Sequence, residues 1–144
     1  MHERRKRLSR LSGLTFLAGA LLSAPVSAAP ERVMSLNLCT DQLAMTLAEP
    51  EQLISVSFLA REPDLSMLHE KAQGFPVNRG LAEEVFLEKP DLVVTGTYSL
   101  HNTTALLKRL GFRIEEFSFV QTLDTIPGEI RRMGALLGQE ARPY

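Results

Sequence analysis

From residue 32 onward, short apolar runs alternate with longer stretches whose apolar positions recur every three or four residues. The clearest unit covers residues 76–98, PVNRGLAEEVFLEKPDLVVTGTY. Asn78-Arg79-Gly80 is turn chemistry, with Gly80 free to adopt a positive φ. Residues 81–88 place Leu81, Val85 and Phe86 at helical spacing among acids. Pro90 ends that helix, because it lacks an N–H and drives Lys89 out of the α region. Asp91-Leu92-Val93-Val94-Thr95 is then a mostly apolar, β-branched run, as in a strand buried on both faces of a parallel sheet. Gly96-Thr97-Tyr98 closes the unit with a flexible loop carrying an aromatic.

The remaining pattern fits around this unit. Residues 32–37 predict a first strand that ends at the polar Asn37. Thr40 or Asp41 caps a helix over 41–47, with Leu43, Met45 and Leu47 turned inward. Residues 52–57 predict a second strand, followed directly by Phe58 and Leu59. Residues 61–73 are polar with a weak helical pattern. Residues 101–110 predict an amphipathic helix with Ala105, Leu106, Leu107 and Leu110 on the core side and Gly111 as its cap. Residues 112–117 predict a strand of less complete burial. A last helix runs over 122–137, its regular hydrogen bonding confined to the part after Pro127, and Gly138 stops it. Strands alternating with helices predict an α/β fold, a mostly parallel sheet of about four strands flanked by helices.

In such a sheet, ligands bind beyond the carboxyl ends of the strands. The loops there carry Asn37, Cys39 and Thr40 after the first strand. Phe58 and Leu59 follow the second, Asn78 and Arg79 precede the acidic helix, and Thr97 and Tyr98 follow the central strand. Phe119 is a further aromatic in the last loop. The amides opening the first helix favour negative groups. Phe58 either walls a ligand or packs down onto the core.

Composition narrows the class. Residues 1–10 hold five bases against one acid, and residues 11–22 are apolar and too short to span a bilayer. Val26-Ser27-Ala28 offers small residues for cleavage, so residues 1–28 read as a signal peptide and the mature domain as secreted. Without them Lys+Arg falls from 16 to 11 and Asp+Glu from 17 to 16, taking the net charge from −1 to −5. A mildly acidic domain lacks the basic patch that nucleic acid requires. The single cysteine, Cys39, has no internal disulfide partner and reads as a small buried hydrophobe. His2, His69 and His101 have no metal-ligand spacing with it, so no metal site is expected. Ser35, Ser57, Ser99 and Ser118 sit near strand ends, yet no histidine is poised to activate one. No catalytic residue is assigned.

Taken together, RVMSLNLCTDQLAMTLAEPEQLISVSFL, GLAEEVFLEKPDLVVTG, LLKRLGF and LDTIPGEIRRMGALLG resemble the N-terminal lobe of periplasmic substrate-binding proteins of ABC importers. The members meant carry iron–siderophore complexes, haem or vitamin B12. The resemblance implies a periplasmic protein with a single Rossmann-like lobe over residues 30–138 and a tail over 139–144. It also implies a ligand cleft shared with a second lobe, a ferric siderophore, haem or cobalamin as ligand, and inner-membrane permease subunits as partners. Glu83 matches the acid that docks such lobes onto permease arginines, with Glu84 a weaker substitute. The family's bridging helix and C-terminal lobe find no match before Tyr144. The expectation is therefore a truncated product, or a lobe completed by a partner, that binds weakly alone. Two other readings stay open: a small secreted α/β hydrolytic enzyme, and a one-lobe adaptor that docks a permease without cargo.

Overall fold

The computed structural model describes residues 28–97, 99–118 and 122–140. Five strands form one parallel sheet: β1 (Val33–Ser35), β2 (Leu53–Ser57), β3 (Val77–Asn78), β4 (Leu92–Gly96) and β5 (Ile114–Phe117), in spatial order β3-β2-β1-β4-β5. The helices are α1 (Leu38–Leu47), α2 (His69–Ala72), α3 (Ala82–Glu88), α4 (His101–Arg109) and α5 (Ile126–Leu137). Strand β3 is the addition to the predicted four. Two residues long, it pairs Val77 with Val56 and Asn78 with Ser57, in a stretch that reads as loop because two residues carry no alternation. The Phe58–Leu59 loop is likewise the start of a 3₁₀ turn, Phe58–Arg61.

The apolar run of β4 is buried at every position. Leu92 and Val94 face α1 and α5, joining Val33, Met45, Val56, Met133 and Leu137. Val93 faces the other way, joining Met34, Leu36, Val85 and Leu107 under α3 and α4. Alternation along one strand thus serves two cores. The second core is the smaller. On α4 only Thr104 and Leu107 are buried, while Ala105 is exposed and Leu106 and Leu110 are 37% and 53% exposed. The inward face predicted for that helix is therefore too wide; a nine-residue helix on a strip of sheet near its edge buries one narrow stripe. Leu81, just before α3, and Phe86 on it are exposed in the same way, leaving Val85 as the helix's anchor.

Helix α3 ends at Pro90 as expected. Lys89 takes the left-handed conformation (φ 49°), its N–H still bonded to the Val85 carbonyl. Pro90 disfavours the right-handed region there, and the chain turns sharply into β4. At this same end of the sheet, the Asp91 carboxylate accepts from the Glu31 and Arg32 amides at 2.8 and 3.0 Å, aligning the starts of β1 and β4.

Candidate functional site

Because all strands run the same way, the ends of β1, β2, β3, β4 and β5 form one rim. The strand order reverses between β1 and β4, which are neighbours in the sheet but not in sequence. At such a switch point the following loops leave toward opposite faces and open a crevice. Here Asn37 follows β1 and Ser99 follows β4, and the Asn37 Nδ2 donates to Ser99 Oγ at 2.9 Å across the gap. Gly96 makes this possible. A Cβ at that position would lie 3.1 Å from both Asn37 Nδ2 and Ser99 Oγ.

Asn37 is also the cap of α1, its Oδ1 accepting from the Cys39 amide at 2.9 Å. This corrects the expected caps, Thr40 or Asp41, and satisfies one of the amides expected to meet a ligand. Thr40 is fully buried; its hydroxyl lies 2.8 Å from Ser35 Oγ and 2.9 Å from the Asn37 carbonyl. It faces the sheet and is withdrawn from the ligand-facing set. Cys39 departs in the other direction, since it is exposed rather than a buried hydrophobe. As the second residue of α1 it points away from the sheet that takes up Thr40.

Asn78 is the second correction. It is 2% exposed, with its amide nitrogen 2.9 Å from the Ser35 carbonyl, 2.8 Å from Ser55 Oγ and 3.0 Å from the Val56 carbonyl. Its Oδ1 accepts from the Gly80 amide at 3.1 Å. The side chain is buried and joins β1, β2 and β3, so Asn78 builds the rim from beneath instead of facing a ligand. Gly80 then turns the chain at φ 73°, as its sequence position requires. The turn also seats Leu100, whose Cδ1 would lie 2.3 Å from a Cβ at Gly80.

Phe58, Leu59, Arg79 and Thr97 do sit on this rim, each just beyond the end of its strand. Phe58 is 41% exposed, and Arg79 lies over its ring. Thr97 is partly buried, its amide and hydroxyl donating to the Phe117 carbonyl at 2.8 and 2.7 Å. Tyr98 and Phe119 lie outside the described residues, as do residues 1–27 of the expected signal peptide and residues 141–144 of the tail. On α3, Glu83 is exposed, whereas Glu84 Oε2 accepts from the Arg79 and Leu81 amides at 2.9 and 3.0 Å. Glu84 holds the turn before the helix, and Glu83 remains the more open acid of the pair.

Asp41, read from sequence only as a candidate cap of α1, supports the rim. It is fully buried, with Oδ1 accepting from the Ser57 amide at 3.0 Å and Oδ2 from the Ser57 hydroxyl at 2.5 Å. It therefore ties α1 to the end of β2, directly before Phe58. Burial pushes its carboxyl up from 3.8 to about 6, against the opposing effect of the serine hydrogen bonds. An acid one turn into a helix reads as a cap from sequence; only the register of β2 beside α1 reveals its partner. Ser57 itself is 3% exposed and spends its hydroxyl on this bond. No group of three or more His, Cys, Asp or Glu among the described residues is arranged to hold a metal ion. No helix among them is long and apolar enough to cross a membrane. A separate hollow of about 470 Å³ lies at the opposite end of the sheet, between Pro30, Arg113, Leu136 and Gly138.

No family model matches the chain, and no curated protein matches it in sequence. Solved structures match it in fold. A periplasmic heme binding protein from Pseudomonas aeruginosa is 20% identical with a TM-score of 0.63, over 77% of this chain and 39% of that one. The periplasmic vitamin B12 binding protein of Vibrio cholerae is 24% identical with a TM-score of 0.61, over 75% of this chain and 42% of that one. A periplasmic heme-binding protein from Roseiflexus is 22% identical with a TM-score of 0.61, over 76% of this chain and 42% of that one. The chain spans well under half the length of the structures it matches. It has the fold of a single α/β lobe of such binding proteins.

Proposed function

We infer that this chain is a lobe of a periplasmic solute-binding protein of an ABC importer, and that its rim takes an iron complex, haem or a corrinoid for delivery to a membrane permease. The observation that carries the reading is the fold likeness to binding proteins whose cargo is heme or vitamin B12. The exposed rim at the β1/β4 switch point supports it, since that is where an open parallel sheet receives ligands. Asn37, Cys39, Phe58, Leu59, Arg79, Thr97 and Tyr98 remain the proposed contacts. Thr40 and Asn78 are replaced in that role by their neighbours and kept as scaffold. A non-enzymatic role fits the same rim, because Ser57, the serine paired with a carboxylate, is buried away from any substrate.

Glu83 is the proposed permease-docking residue. Its carboxylate is exposed on the first turn of α3, while Glu84 is engaged by the preceding turn. Isothermal titration of the full chain with haem, cobalamin and ferric hydroxamates tests the reading. The expected result is saturable binding of one of them, weak if the rim is only half of a cleft. Absence of binding to all three would contradict it. In parallel, Glu83→Arg is expected to abolish association with the permease and leave ligand binding unchanged; unchanged association would remove Glu83 from the docking role.

A further inference from the structure

The ligand's chemistry is left open by the fold, and two adjoining rim loops narrow it. Phe58 follows β2 and Arg79 follows β3, its neighbour in the sheet. The guanidinium carbon of Arg79 lies 5.6 Å from the centre of the Phe58 ring, and both side chains are open to solvent. Among the described residues no carboxylate lies within ion-pair distance of this guanidinium. The backbone beneath it is fixed. The Arg79 amide is held by Glu84, Asn78 is locked on one side, and Gly80 is bonded back to Asn78 on the other. The result is a cation on a rigid base, steadied by a ring face, with its planar fork of donors uncommitted. Such a group gains most from a carboxylate, which takes two parallel charge-assisted hydrogen bonds; an uncharged amide accepts only ordinary ones.

We propose that Phe58 and Arg79 together select ligands that present a carboxylate at their edge, in preference to uncharged corrinoids. The proposal rests on the solute-binding reading above. The carboxylate can belong to a tetrapyrrole propionate or to a carboxylate-type iron chelate, and Arg79 treats the two alike.

The test measures dissociation constants for the full chain with ferric protoporphyrin IX, its dimethyl ester, ferric citrate and cyanocobalamin. Wild type is compared with Arg79→Gln and Phe58→Leu, and circular dichroism checks that each variant is folded. At least one free-carboxylate probe is expected to bind about tenfold or more tightly than cyanocobalamin. Arg79→Gln is expected to weaken that probe by about tenfold and cyanocobalamin by distinctly less, so that the preference between them falls. Phe58→Leu is expected to produce a smaller loss in the same direction. If protoporphyrin is the responding probe, its ester loses the advantage; a response to citrate alone identifies the chelate class. Cyanocobalamin binding as tightly as the carboxylate probes, or an Arg79→Gln variant with unchanged affinity for them, would overturn the proposal and leave the solute-binding reading standing. Failure of every probe to bind wild type would overturn both.

Discussion

The Asp41 carboxyl lies beneath the rim with only hydroxyls and the Ser57 amide to hold it. Its value in the fold, about 6, stands above its ordinary 3.8. For an acid raised in this way, the stabilising contribution is fully present below pH 3.8 and is lost as the pH rises through about 6. The difference between the two values corresponds to at most about 3 kcal/mol. Asp41→Asn keeps the shape, with an oxygen for the Ser57 amide and an N–H for its hydroxyl, and does not titrate. Urea unfolding is therefore expected to show wild type losing stability relative to Asp41→Asn between pH 4 and pH 7. Parallel pH profiles for the two proteins would contradict this. Asp41, Thr40 and Asn78 share one lesson. Each is a polar residue in a loop or first turn, where sequence favours a cap or a ligand contact, and each is buried by a neighbouring strand. The sequence holds no local sign of that burial, because the partners, Ser35, Ser55 and Ser57, come from other segments.

At the scale of elements, the strands and helices were largely legible, because β-branched runs, Pro90, Gly111 and Gly138 act locally. The two-residue β3 and the narrow contact of α4 were not, since both depend on what lies beside them. The fit between α5 and β5 was also hidden. Arg132 on α5 lies 4.4 Å from the centre of the Phe117 ring, donates to the Glu116 carbonyl at 2.8 Å and pairs with Glu115 at 2.9 Å. That carbonyl belongs to the edge strand of the sheet, so the guanidinium both anchors α5 and occupies an edge acceptor. The ion pair is about one-third exposed on each side and adds little. Loss of the carbonyl bond and of the ring contact in Arg132→Ala is expected to cost about 1–2 kcal/mol. Denaturant unfolding measures it directly, and a change within a few tenths of a kcal/mol would show that α5 is held by Met133 and Leu137 alone.

For the whole molecule, the parallel order β3-β2-β1-β4-β5 places the five strand ends on one rim and the hollow beside Pro30, Arg113 and Gly138 at the other end. Cargo is expected to meet the rim. The most direct measurement is an amide-resolved NMR titration of the full chain with two diamagnetic probes, cyanocobalamin and gallium(III) protoporphyrin IX. Shifts induced by whichever probe binds are expected to cluster at Asn37, Cys39, Phe58, Leu59, Arg79, Gly80 and Thr97. Shifts confined to Ala29, Arg113, Leu136 and Gly138, around the hollow at the other end, would contradict it.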